Sequence, residues 1–140
     1  MDEKTKLAIE KVIKNDPFAD LLNVTVEEVS VGYGRVSMTI EPEHQNFHGM
    51  THGGVIFSLG DIAFAIAGNS RGKTAVALNV DISFLQATQV GDKLVGEAKE
   101  ISLNGPIGLY EITVTNHHNQ DLIAKSQAVL YRKKDSFIGD

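Results

Sequence analysis

The 140-residue chain contains no cysteine. That removes disulfides, thiolate metal sites and a cysteine nucleophile together, and it is compatible with a reducing compartment. Long apolar runs are missing too. No stretch reaches membrane-spanning length, and the first residues, MDEKTKLAIEKVIKND, carry charge throughout instead of a basic flank followed by an apolar run. A cytoplasmic protein with no membrane partner is expected. Positive charge is also scarce, with 13 Lys and Arg against 18 Asp and Glu, a formal charge of −5. Nonspecific nucleic-acid binding needs many phosphate-neutralising cations, so no nucleic-acid partner is expected. Neither G-x-x-x-x-G-K-[ST] nor G-x-G-x-x-G occurs, which excludes the common phosphate loops.

What remains is an ordinary globular composition. Apolar residues make up 42%, and the 13 glycines bring the sum to about the globular norm. The length suits one domain over residues 1–140, with no internal repeat or linker to divide it. Glu3 to Lys14 reads as a short amphipathic helix with Leu7, Ile9, Val12 and Ile13 on its apolar side. Asn15 and Asp16 stop it or cap the next element, and Pro17 suits a first helical position. Strand character follows from Val24, through the turn at Gly32-Tyr33-Gly34, to Ile40. Val55 to Asn69 predicts a helix apolar on almost every side, hence one buried on several faces. Four more strands follow, at Thr74–Leu85, Lys93–Leu103, Ile107–Thr115 and Leu122–Tyr131, joined by turn-like segments. The order predicts an α+β fold, a curved antiparallel sheet of five to six strands wrapped around one long central helix.

The stretch His44–Ser70 is chemically expensive. A Gly-Gly pair at a helix start leaves free N–H groups for an oxygen bearing negative charge. Asp61 then sits among Phe57, Ile62, Phe64 and Ala65, where burial costs several kcal/mol, roughly, unless the acid is paired or used. Those flanking residues predict that it is not exposed.

Asn46, Gly49, His52-Gly53-Gly54, Leu59, Asp61, Ala63 and Ser70, with Asn79 to Leu85 and Gly91-Asp92, resemble the hotdog fold. Within it, the chain resembles the thioesterases typified by the phenylacetate-pathway (PaaI-type) acyl-CoA enzymes. The resemblance implies a thioester hydrolase whose substrate is a small, medium-chain or aromatic acyl-CoA, with no further cofactor and no metal. It favours Gly53 over Gly54 as the backbone donor to the carbonyl, and it makes Asp61 the catalytic acid, either a base toward water or a nucleophile. Asn46 and His52 either touch the water, carbonyl or sulfur, or brace the loop. Gly54, Phe57, Asn79 and Ser83 are candidates for substrate binding. Asn79 stands where related enzymes carry a polar residue, often Ser or Thr. An apolar acyl pocket lined by Phe57, Phe64 and Phe84 is expected. His44, His48 and His52 are spaced by four, but Pro42 and Gly49 argue against a helix presenting them to a metal. Cations for the coenzyme A phosphates are sought among Arg35, Arg71, Lys73, Arg132, Lys133 and Lys134.

Spacing adds a constraint. Gly53 and Asp61 are eight residues apart, about 12 Å along one helix, too far to hold one thioester together. If both act on it, they come from two subunits related by a two-fold axis, so a homodimer with shared sites is expected, either alone or as half of a dimer of dimers. The other reading is a non-catalytic acyl-CoA-binding module of the same fold. A hotdog hydratase fits poorly, because Asp61 lies nine residues beyond His52.

Overall fold

A computed structural model describes residues 1–139. The chain opens with α1 (Glu3–Ile13) and α2 (Pro17–Leu21), each capped by an aspartate. Asp2 accepts the Thr5 N–H at 2.7 Å, and Asp16 accepts those of Phe18 and Ala19 with Pro17 at the first helical position. The hairpin β1 (Thr25–Ser30) and β2 (Tyr33–Thr39) follows, then a 3-10 turn at Pro42–His44 and the central helix α3 (Gly53–Asn69). β3 (Lys73–Phe84), β4 (Lys93–Asn104), β5 (Ile107–Asn116) and β6 (Leu122–Ser136) complete one six-stranded sheet. β6 continues past the predicted stop at Tyr131, because its cationic end pairs with the start of β3 rather than entering a loop.

Every pairing is antiparallel, in the order β1-β2-β4-β5-β6-β3. The strand that leaves α3 thus crosses to the far edge and pairs only with β6. The sheet curves around α3, which buries Ile56, Leu59, Ile62, Phe64 and Ile66 against Val36, Leu94, Ile112, Val114 and Leu130. Each such side chain contributes about 1.5–3 kcal/mol by leaving water. The approach is close enough to need glycine at two strand positions. A Cβ at Gly34 would lie 2.7 Å from the Ala63 carbonyl oxygen, and one at Gly96 would lie 3.0 Å from that of Leu59. α3 cannot shift outward without breaking the core, so it is fixed in rotation as well as in place.

One stripe of α3 stays open. Gly54, Phe57, Asp61 and Ala65, spaced by three and four, face away from the sheet and are exposed. Beside them runs the free edge of β3, 12 residues long, with Val76 and Leu78 exposed. The opposite edge, β1, has six residues and carries Glu27 and Glu28. Gly34→Ala is expected to destabilise the fold by about 1–3 kcal/mol through overpacking against backbone, measured as a lower urea midpoint with an unchanged slope.

Candidate active site

His52 precedes α3 in extended conformation, and its Nδ1 accepts the Gly54 N–H at 2.8 Å. The Val55 N–H goes to the His52 carbonyl at 3.0 Å. The Gly53 N–H has no acceptor among the described residues. The two glycines are therefore not equivalent, since one donor is spent on the cap and the other is free at the positive end of the helix. The same bond assigns the imidazole tautomer. With Nδ1 accepting, the ring proton sits on Nε2, a second donor at the helix start.

Asn46 organises the preceding loop. Its Oδ1 accepts the N–H groups of His48 at 2.9 Å and Met50 at 3.2 Å, and its own N–H donates to the Met50 carbonyl at 2.7 Å. Gly49 completes the turn at φ +80°, a conformation that side chains rarely adopt. The Asn46 amide nitrogen has no acceptor among the described residues. Asn46 and Gly53 line one open cavity of about 310 Å³ with Met50, Thr51, Ile56 and Phe84.

Asp61 occupies a different cavity of about 130 Å³, walled by Phe64, Ala65, Asn69 and Val76. The sequence expectation of a buried acid is corrected here. Ile62 and Phe64 turn to the sheet, whereas Phe57 and Ala65 share the open stripe, so Asp61 is exposed in the single chain. Its surroundings still hold its pKa above the ordinary carboxylate range, first through partial burial and second through the charge of Asp16. No residue is common to the two cavities, in keeping with about 12 Å of helix between Gly53 and Asp61.

The other predicted residues scatter. Phe64 is buried against Tyr110, ring centroids 5.4 Å apart, Phe57 lies on the open stripe and Phe84 lines the Gly53 cavity. Among the described residues, no single cavity joins the three. Asn79 pairs with Val129 and Ser83 with Lys125, residues that alternate with the buried Ala124, Ser126, Ala128 and Leu130. Paired side chains share a face, so Asn79 and Ser83 belong to the outer face of the sheet. The expectation that they line the substrate site with Gly54 and Phe57 does not hold within one chain. His44 is buried and accepts the Glu41 N–H through Nδ1 at 2.9 Å, and its carbonyl takes the His52 N–H. It braces the loop.

Among the cations, Arg71 grips Glu100 with two bonds of 2.6 and 2.8 Å, and the Tyr110 hydroxyl donates to the same carboxylate. That guanidinium holds the Glu100 pKa below the ordinary value. Arg71 is therefore committed, and Arg35 faces Glu28 at 3.5 Å. Lys73, Arg132, Lys133 and Lys134, without ion pairs among the described residues, gather where β3 starts and β6 ends. Sequence reasoning missed Asp16 as a neighbour of Asp61 and Asn69 as a wall of its cavity. Asn69 lies eight residues beyond Asp61 on the same stripe and was open to a periodicity argument, whereas Asp16 is brought in by tertiary folding alone.

Comparison with known proteins decides the family. The model of the thioesterase superfamily matches residues 48–123, a span that includes His52, Gly53 and Asp61. The chain belongs to the thioesterase superfamily. It is 43% identical to an esterase-named protein of Archaeoglobus fulgidus, over 89% of this chain and 80% of that one. It is 34% identical to the acyl-coenzyme A thioesterase PaaI of Escherichia coli, over 90% of this chain and 86% of the relative. The solved structure of the E. coli PaaI protein superposes with a TM-score of 0.88, covering 94% of this chain and 98% of the other at 30% identity. A Streptococcus mutans protein solved with acetyl CoA superposes at 0.75 and 25% identity, covering 79% of this chain and 89% of that one. The fold is the hotdog fold and the protein is a thioester hydrolase.

Two substitutions test the site. Gly53→Pro removes the free N–H yet suits a first helical position after an extended residue. It should leave the melting temperature nearly unchanged and lower kcat by about 10²–10³-fold, the usual loss for one oxyanion donor. Asp61→Asn should raise the melting temperature near neutrality. A carboxyl whose folded pKa is raised favours folding fully only below its unfolded pKa, and that contribution is lost as pH rises through the folded value. The variants should melt alike in acid, where both side chains are neutral.

Proposed function

We propose that the protein is a cytoplasmic homo-oligomeric acyl-CoA thioesterase that converts an acyl-CoA to the free acid and coenzyme A, with no cofactor beyond the coenzyme A of the substrate. The observation that carries this reading is the unspent Gly53 N–H at a helix start, in a chain whose only acid on the open stripe of that helix is Asp61. The Gly53 donor receives the thioester oxygen as it gains charge. Asp61, its pKa raised toward the working range of a general base, takes a proton from the attacking water. The C–S bond then breaks and the sulfur leaves as coenzyme A thiol, taking up a proton. His52 Nε2–H and the Asn46 amide nitrogen are the remaining donors at the helix start. The names of the E. coli relative and of the acetyl CoA-bound neighbour support the substrate class.

The distance between Gly53 and Asp61, about 12 Å along the helix, supports a site whose two halves come from two chains. The open stripe of α3 and the long apolar edge of β3 support a two-fold interface there, since an edge so exposed and so little charged is ordinarily covered. Two such dimers can associate further.

Thiol release from a panel of acyl-CoAs tests the activity, and binding without release from any would favour a sensing module. Mixing unfolded Gly53→Pro and Asp61→Asn chains and refolding them together should restore about a quarter of wild-type activity, because half the random dimers carry one intact site of two. No recovery would place both residues in one chain. Below the raised Asp61 pKa, kcat/KM should fall as the base is protonated. A single turnover in ¹⁸O-water should label only the released acid, and label on Asp61 would make it a nucleophile instead.

A further inference from the structure

Between the α1–α2 elbow and the outer side of α3 lies an open cleft of about 390 Å³, lined by Val12, Ile13, Pro17, Ile62, Ile66 and Phe137. Its volume falls in the range of small-molecule sites, about 300–1,000 Å³. The cleft shares two wall residues, Ala65 and Asn69, with the small cavity that holds Asp61. That small cavity, about 130 Å³, has room for roughly four waters.

Of the polar side chains on the cleft wall, Asn15, Asp16, Asn69 and Thr74, the two nearest α3 and α2 are already used. Asn69 donates to the Ala65 carbonyl at 2.8 Å and accepts the Ala75 N–H at 2.8 Å, and Asp16 caps α2. An apolar guest leaves neither of these unpaired. Val12 is 46% exposed in this wall, an apolar side chain with nothing seated on it. Asp16 and Asp61 bring two acids to the cleft and its approach.

Resting on the thioesterase reading, we propose that this cleft is the acyl subsite: the acyl group passes Ala65 from the reacting carbonyl and lodges beneath the α1–α2 elbow. The substrates are acyl-CoAs with an uncharged apolar tail, aryl or medium-chain. Acetyl groups are too short to reach the cleft, and acyl groups ending in a carboxylate are repelled by the two acids.

S-octyl-CoA, a thioether with no bond to hydrolyse, separates binding from chemistry. Calorimetry should show it binding wild-type protein at least about tenfold more tightly than coenzyme A itself, from methylenes removed from water. Val12→Trp fills the cleft from α1, and Ala65→Phe blocks its approach from α3. Each should abolish that advantage and lower the octanoyl-to-acetyl ratio of kcat/KM at least about tenfold. The α1 variant leaves the open stripe of α3 untouched, so its result is independent of assembly. An octyl group that gains nothing over coenzyme A in wild-type protein overturns the proposal, as does an advantage that survives Val12→Trp. A wild-type advantage that both variants remove, with no acyl-CoA hydrolysed, would keep the cleft and refute the catalytic reading.

Discussion

The seating of α3 in the sheet is the constraint on which the other features of this molecule depend. Backbone approaches backbone at Gly34 and Gly96, and large apolar side chains fill the remaining space. The helix therefore has neither room to slide nor freedom to roll. From that follow the direction in which its first N–H groups point, the stripe that carries Asp61, and the 12 Å or so that the helical rise sets between them. A looser helix would leave each of these adjustable, and a catalytic donor gains its effect from being fixed before the reaction.

The cap shows how the same backbone supplies both structure and chemistry. A helix start has several unpaired N–H groups, and leaving them all open would fray it. His52 satisfies one through its ring and another through its carbonyl, so the donor that remains is held in a well-formed first turn. A serine or aspartate in that place could cap the helix. Neither would bring an imidazole N–H to the same spot.

Much of this was legible in the sequence, because the signals involved were local. The alternation of strands, the Gly-Gly helix start and the eight-residue spacing to Asp61 all concern residues close in the chain. The environment of Asp61 was misjudged for a physical reason. Apolar neighbours in sequence are distributed around a helix, so Ile62 and Phe64 are buried while the acid just before them faces out. The outer-face placement of Asn79 and Ser83 could not be read from the sequence, because strand alternation gives two faces and no indication of which is inner. A bulge between Ala77 and Asn79 shifts the phase as well. The pairing of β3 with β6, and with it the cleft beneath the N-terminal elbow, depends on contacts between distant segments that no local pattern encodes.

That crossover has a consequence for how the chain is made. β3 finds its only neighbour in β6, the last strand, so during synthesis it must wait while β4 and β5 are added. Pairings of such long sequence separation close late, because the intervening chain loses entropy before any contact repays it. Until then, α3 lacks the wall that fixes its far end, and the apolar residues of β3 have no ladder to join. A growing chain thus keeps its most adhesive strand unformed until the final segment has emerged. The long, little-charged edge of β3 exists only once the chain is whole.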